Sequence, residues 1–342
     1  MVKKKKKTLS RTAGLLLASL AVYIVVKALI LAGMLSPYWS LVMDQALITT
    51  VGALGLCIIY GFSGQFSLGH AAFYGIGAYA AAFISKTYGH GSMAWFLLAL
   101  PAGALAAGLV AFLIGLPILR LRSDYLGIAT LGFGIIVKVG MDNSHRLLPV
   151  LGGATGIAGL QQAASFDSIF LSTVVAVLLT RNFVQSSYGR ACTAIRDDEI
   201  AADIMGIDTT KYKVTAFVFG CALAGLAGAL YVHRYPFLHP STFDFLKSFD
   251  FLLIVVLGGL GSISGTVITS IAWVFLLEGL RFVLGQQFIE FRGVIYALIL
   301  VVTILLRPQG IFGGKELLFL KPPKANLTAA SGKEGPHADL GD

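Results

Sequence analysis

Arg196, Asp197, Asp198, Glu199 and Asp203 fall within a single short stretch, "SYGRACTAIRDDEIAADIMG", of a 342-residue chain in which only 13% of residues are charged. The window from Arg181 to Lys213 holds ten of the forty-three charged residues. A guanidinium and several carboxylates this close together are equipped for charge-assisted hydrogen bonds to a partner surface. They are not accompanied by metal-ligand spacing: Cys57, Cys192 and Cys221 form no CxxC or Cys/His pattern, so neither zinc nor disulfides are expected. The six histidines are scattered, and G-x-S-x-G, H-E-x-x-H and the nucleotide-cradling G-x-x-x-x-G-K-[ST] are all missing. No catalytic residue is assigned. If ATP drives this protein, another chain must bind and hydrolyse it.

The geometry of the polar stretch is helical. Ala191, Ala194, Ile195, Ala202 and Met205 recur at helical spacing while Arg196, Glu199 and Asp203 line another face. This predicts one short amphipathic helix over 191–206, stopped by Gly206. Helices that lie on lipid carry Lys and Arg on their polar face, whereas this one carries Asp197, Asp198, Glu199 and Asp203, which anionic headgroups repel. A protein partner is therefore expected, with Arg196, Glu199, Ala202, Asp203 and Gly206 as docking residues.

A second set of residues is glycine-rich. In "GFSGQFSLGHAAFYGIGAYAAA", residues 61–82, the small residues Ser67, Ala71, Gly75, Ala78 and Ala82 share one helical face, which suits close packing of backbones in a membrane. Gly61 and Gly64 alternatively break the helix beside a pathway. A second break, "LGGLGSISG" at 257–265 with Gly258, Gly259 and Gly261, is expected to face the first. "LGGATGI", residues 151–157, has no following Lys-Ser/Thr and reads as a tight turn or re-entrant edge. His70, Asp44, Lys138, Asp250, Glu278 and Arg281 lie in or near apolar segments, where a mid-bilayer charge costs about 2.5–3.5 kcal/mol. Structural pairing, for example Glu278 with Arg281, is the expected reason for most of them.

The elements that position these groups follow from composition. A mean hydropathy of +0.82 with 56% hydrophobic residues makes lipid the solvent for most of the chain. A span needs about 20 apolar residues. Ten such windows fall at roughly 14–35, 39–60, 66–85, 93–119, 125–141, 166–183, 214–234, 243–260, 263–284 and 291–306. The fold class expected is an all-α integral membrane protein of about ten transmembrane helices, with a basic N-terminal segment (1–13), a permease domain (14–312) and a polar tail (313–342) without periodicity, expected to be disordered. With the N-terminus inside, eighteen of the twenty-six basic residues fall on inside segments and four on outside ones. That asymmetry puts both termini and the 191–206 helix in the cytoplasm. It also accounts for the net charge of +9 without nucleic acid, since no aromatic-basic groove accompanies it. The run Lys3 to Lys7 precedes an apolar segment too long for a cleaved leader and reads as the flank of the first span. The longest outside loop, about 142–165, is too short to fold as a binding domain.

"EIAADIMG", with Glu199, Ala201, Ala202 and Gly206, resembles the EAA-type loop of ATP-binding-cassette importer permeases, the segment that docks on their ATPase subunits. The frame from Ser187 to Tyr231, "GFSGQFSLGHAAFYGIGAYAAA", "RLRSDYLGIATLGFG" and "VLGGLGSISG" are similar in order to blocks of the LivM-type permeases of branched-chain amino acid importers, over roughly residues 45–312. The resemblance implies a bacterial inner-membrane permease working with two ATPases, a second related permease and an external solute-binding protein, with ATP used only by the partner subunits and no cofactor bound by this chain. It departs from the family at "GGATG", where a polar residue usually follows the paired glycines, and the urea and short-chain amide permeases of the same family look alike. The competing expectation is an ion-coupled secondary transporter using His70 or Asp44. A membrane-embedded enzyme ranks third, for want of a nucleophile or metal set.

Overall fold

The computed structural model describes residues 2–320 apart from 90, 91, 122, 147, 161, 286, 308, 314, 315 and 317–319. Each of the ten apolar windows contains helix. The first is α1 (Val2–Leu31), the second α2 (Pro37–Leu56), which runs on into a π-helical turn (Cys57–Phe62). Then come α3 (His70–Tyr88), α4 (Met93–Ile118), α5 (Ser123–Asp142) and α6 (Phe166–Gln185). Two short helices, α7 (Ser187–Asp197) and α8 (Glu199–Ile204), lead to α9 (Thr209–Arg234), α10 (Phe245–Gly258), α11 (Ile263–Leu284) and α12 (Gln287–Leu306). Seven helices among the described residues are long and apolar enough to cross a membrane: α1, α2 with its π turn, α4, α5, α6, α9 and α11. The window at 243–260 is shorter than expected. Its helix, α10, has 14 residues, fewer than the roughly 20 that a bilayer demands, because Asp244 caps its start and Gly259 ends it.

The core is built on α2 and α9. α2 is enclosed on nearly every side and packs against α6, α9, α10 and α11, while α3 and α4 pack on the other side of α9. α1 is peripheral. Lys27 on α1 reaches Asp167 at the start of α6 at 2.6 Å, and Tyr23 donates to the same carboxylate at 3.0 Å. Without a hydrophobic drive between helices in lipid, close backbone approach must supply the contact energy, and glycine supplies the approach. A Cβ at Gly77 would stand 2.2 Å from the Gly225 carbonyl oxygen, and one at Gly225 2.5 Å from Ala107 and 2.6 Å from the Gly103 oxygen, so α3, α4 and α9 meet at these three positions. Gly55 and Gly220 bring α2 and α9 together in the same way.

The stripe expected on α3 is too narrow a description. Ser67 precedes the helix, which starts at His70, so it lies in the connecting segment. Ala71, Gly75, Ala78 and Ala82 are buried, but so are Ala72 and Ala81, which flank that stripe on its two sides. α3 is surrounded, so small residues were needed on more than one face. Gly75 abuts Met141 and Phe243, and the Ala71 amide donates to Ser248 Oγ at 2.9 Å.

At one end of the bundle the segment between α5 and α6 folds over the α9–α10 connection. Residues 152–156 form tight 3₁₀ turns, and β1 (Ile157–Ala158) pairs antiparallel with β2 (Phe237–Leu238), Ile157 opposite Leu238. Beneath it Arg234 Nε donates to Asp44 Oδ2 at 2.6 Å, joining α9 to α2. At the other end, two residues of the expected tail are held in place. Glu316 accepts the amides of Ile263 at 2.6 Å and Ser264 at 3.2 Å, and the Leu320 oxygen accepts from Gln185. Residues 321–342, the rest of that tail, lie outside the described residues.

Overpacking a tight crossing costs about 1–3 kcal/mol, and more where the obstacle is backbone. Gly225→Leu is therefore expected to lower the thermal midpoint of the purified protein by several degrees or abolish its monodisperse peak in detergent. Gly140→Leu on α5, where a Cβ would meet nothing within 4 Å, is expected to leave both unchanged. Fluorescence-monitored size exclusion after a heating series makes the comparison.

Candidate functional site: the α7–α8 corner and the glycine slot behind it

The polar stretch expected as one helix over 191–206 is two. α7 is capped by Ser186, whose hydroxyl accepts the Gly189 amide, and it ends at Asp198. Asp198 has extended backbone (φ −159°, ψ 108°), and its carboxylate accepts the Ala201 amide at 3.0 Å to start α8. An aspartate bonded to a nearby backbone amide competes with continuation of the helix, and here the cap wins. Asp208 repeats the device for α9, accepting the Lys211 amide at 3.0 Å.

The break changes which residues face out. Cys192 and Ile195 on α7 and Ala202 on α8 are buried. Cys192 sits near the Tyr212 carbonyl, and the Tyr188 ring packs edge-on against Tyr212 at 5.5 Å. Ile200, Ile204 and Met205 are 75%, 79% and 81% exposed. Met205, expected on the inner face, is outside because the turn at Asp198 rotates α8 relative to α7. Glu199 and Asp203 bracket this apolar patch, with Lys213 on α9 donating to Glu199 at 2.5 Å. Gly206 closes the helix, and the Ile207 amide returns to the Ala202 oxygen at 3.0 Å. Of the five docking residues expected, Glu199, Asp203 and Gly206 thus lie on the exposed side and Ala202 on the inner side.

Arg196 keeps 32% of its side chain exposed, but its guanidinium reaches back to the end of α2. Its Nη1 donates to the Gly61 carbonyl at 2.8 Å, while Nε and Nη2 hold Asp197 Oδ1 at 3.1 and 2.9 Å. Gly61 belongs to the π turn that ends α2. The second glycine break stands directly against it: a Cβ at Gly61 would lie 2.9 Å from the Gly261 amide nitrogen. Gly64 and Gly261 have φ of +71° and +78°, a region that side chains disfavour. Gly258 packs on Gly265, where α10 and α11 cross, and Gly259 lies against Gly310 beyond α12. Nearby, Gln65 donates to the Lys213 carbonyl at 3.1 Å, fixing the α2–α3 connection to α9.

The ionisable residues in the apolar segments are engaged by structural partners. Asp44 is bound to Arg234, Lys247 contacts Asp250 at 3.2 Å, and Lys138 lies 3.8 Å from Asp142. Glu278 lies 3.7 Å from Arg281, the expected pair, and also accepts from Tyr38 at 2.7 Å. His70 is fully buried, donates from Nε2 to the Gly52 carbonyl at 2.9 Å and packs edge-on against Phe251. The two residues that ion coupling would use, Asp44 and His70, are therefore committed to holding helices together. Cys57, Cys192 and Cys221 are free thiols, all buried.

Sequence reasoning missed the exposed trio Ile200, Ile204 and Met205. The signal was present as an isoleucine pair at i,i+4 displaced by one position from the acidic pair Glu199 and Asp203.

A bundle of long apolar helices in which Asp44, Asp250 and Glu278 are each paired, with a capped helix pair at one end offering an apolar and acidic patch, is the build of a multi-pass membrane protein. The chain belongs to the family described as branched-chain amino acid transport system, permease component, whose profile matches residues 38–304. It is 33% identical over 301 residues to the high-affinity branched-chain amino acid transport system permease protein LivM of Salmonella typhimurium, covering 78% of this chain and 68% of that protein. It is 34% identical over 292 residues to LivM of Escherichia coli, covering 75% and 66%. The LivH permease of Salmonella typhimurium is 28% identical over 288 residues, covering 78% and 91%. The chain thus spans about two thirds of the length of its LivM relatives. No solved structure matches it significantly.

Burial pushes the Cys192 thiol up to about 11, against a weaker downward pull from Ser63. At pH 8 only about one Cys192 in a thousand is then a thiolate, the reactive form. Maleimide labelling followed by peptide mass mapping is expected to modify Cys192 at least a hundredfold more slowly than an Ile204→Cys control at pH 8, with its rate climbing as pH rises toward 11. Equal rates at pH 8 would mean that α7 is not seated on α9.

Proposed function

We propose that this chain is the permease subunit of an ATP-driven importer that carries branched-chain amino acids across the bacterial inner membrane. In this reading ten helices cross the bilayer, the short α10 doing so together with the turn at Pro240–Phe243 that precedes it; both termini and the α7–α8 corner are cytoplasmic, and α8 seats in a groove of an ATPase subunit. A second related permease completes the translocation path, and an external binding protein delivers the solute. The observation that carries the proposal is the exposed surface of α8: Ile200, Ile204 and Met205 flanked by Glu199 and Asp203 on a helix anchored firmly from behind. Apolar side chains so exposed at a bundle end favour burial against protein, and the acidic flank disfavours a lipid surface. The positive-inside distribution supports the orientation. The names of the LivM and LivH relatives, both permeases of branched-chain amino acid systems, support the solute and the paired permease. The energy source follows from the same residues. Asp44 and His70 are occupied in structural bonds, so work must enter through a partner, and the corner is the part of the chain suited to receive it.

Burying an isoleucine side chain contributes about 1.5–3 kcal/mol. Ile200→Glu combined with Ile204→Glu is therefore expected to weaken ATPase retention at least a hundredfold while the permease itself remains monodisperse, as read by co-purification from native membranes. Retention at the wild-type level would remove α8 as the docking surface. For the cycle as a whole, the complex in vesicles with radiolabelled leucine is expected to accumulate it only with ATP and binding protein together. Accumulation driven by a proton or sodium gradient alone would overturn the importer reading in favour of ion coupling.

A further inference from the structure

Arg196 lies in a slot made by three glycines from two parts of the chain, Gly61 and Gly64 at the end of α2 and Gly261 between α10 and α11. A Cβ at Gly64 would stand 2.9 Å from Arg196 Cγ, and one at Gly261 would stand 2.9 Å from Arg196 Nη1. Gly61 supplies the carbonyl that Nη1 binds at 2.8 Å. A side chain at Gly64 or Gly261 would take the space the arginine uses. The carbonyls of Ile58, Ile59 and Tyr60 accept the amides of Ser63, Gln65 and Gly64, whereas the Gly61 carbonyl, past the end of the ladder, accepts from Arg196. One guanidinium therefore bonds Asp197, the last residue of α7, and the π turn that ends α2, and it lies beside the turn between α10 and α11, where a Cβ on Gly261 would crowd it.

We infer that Arg196 is the positioning residue that carries movement of the α7–α8 corner into the transmembrane helices, and is not a residue that binds the ATPase. The inference rests on the reading of α8 as the ATPase-facing helix, but goes beyond it by naming the link on the permease side. The geometry makes the link directional. The side chain is rooted on α7, its Nε and Nη2 are held by Asp197, and its Nη1 grips α2 at the π turn, a geometry that recurs at functional sites. The α10–α11 turn behind it is held in turn by Gly310 packed on Gly259 and by Ile311 donating to the Leu257 carbonyl at 2.8 Å. A shift of α7 therefore draws on the ends of α2, α10 and α11 together.

The test uses the full complex in vesicles and measures ATPase retention, ATP hydrolysis and leucine uptake for Arg196→Met, Arg196→Lys and Ile200→Glu. Arg196→Met is expected to keep its ATPases and hydrolyse ATP within about twofold of wild type, while uptake per ATP falls at least tenfold. Arg196→Lys is expected to restore a substantial part of that ratio, because an ammonium still donates to the Gly61 carbonyl. A fluorophore on Leu260→Cys, at a position 40% exposed in the α10–α11 turn, is expected to respond to ATP with Arg196 present and not with Met there. An unchanged uptake per ATP in Arg196→Met, or a full probe response, overturns the inference. So does loss of the ATPases from Arg196→Met, which makes the residue a docking contact. If Ile200→Glu retains its ATPases undiminished, it is the docking reading that fails, whatever Arg196 does. Should Arg196→Met not assemble, Arg196→Lys decides: coupling no better than a tenth of wild type, with ATPases bound and the protein monodisperse, overturns the inference as well.

Discussion

In a packed bundle, a buried backbone carbonyl that leaves its helical ladder must be met by a donor from the same chain, because it is closed off from water. The end of α2 is where this protein confronts that constraint. The helix widens into a π turn at Cys57–Phe62, three of its carbonyls are taken by the following amides, and the carbonyl of Gly61 is taken by a guanidinium on a different element. That one hydrogen bond ties the polar corner to the most enclosed helix in the molecule. Its geometry explains why glycines stand at 61, 64 and 261: the arginine and the α10–α11 turn both need the space that Cβ atoms would fill.

The rest of the bundle answers the same problem with the same means. Helices α3, α4 and α9 touch backbone to backbone through Gly77, Gly103 and Gly225, and α2 meets α9 through Gly55 and Gly220. Such contacts gain from dispersion and short approach, where burial of apolar surface gains little against lipid. Charges are handled just as economically. Asp44 and Arg234 fasten α2 to α9, and Glu278 shares Arg281 and Tyr38. Asp44 is fully buried, and removing one member of such a pair costs about 3–5 kcal/mol because the other is left unpaired, so Asp44 serves cohesion and is poorly placed to exchange protons during a cycle. A scaffold of this kind is stiff between its ends, which suits a protein whose work arrives at one corner.

The connections between helices divide into two kinds. At the end that carries β1 and β2, the pairing of Ile157 with Leu238 and the Ala164 amide on the His233 carbonyl close the segment after α5 over the end of α9 and the α9–α10 connection. Side-chain caps serve that end through Ser165 and Asp244 and the other end through Ser186, Asp198, Asp208, Ser262 and Glu316, each satisfying helix amides. A helix start left without such a partner carries orphan donors, and the acidic residues that look like a recognition patch in the sequence are partly spent on this task. Asp198 is the instructive case, since its carboxylate is a cap and its neighbour Glu199 points outward.

The amino-acid sequence by itself determined the class of molecule, because runs of apolar residues about as long as a bilayer is thick leave no other solvent for the chain. It also determined where the polar corner lies and that Glu199 and Asp203 face out, since local periodicity and charge sign act over a few residues. What it could not determine is which residues meet across long separations. Arg196 and Gly61 are neighbours only once α2, α7 and the α10–α11 turn are assembled, and nothing in the spacing of either distinguishes a guanidinium bonded back to α2 from one left to a partner. The break at Asp198 and the outward turn of Met205 were hidden for a related reason: an aspartate in a helical pattern is compatible with both a continuing helix and a cap. Close packing around Cys192, Ile195 and Ala202 chose between them, and that choice belongs to the tertiary structure.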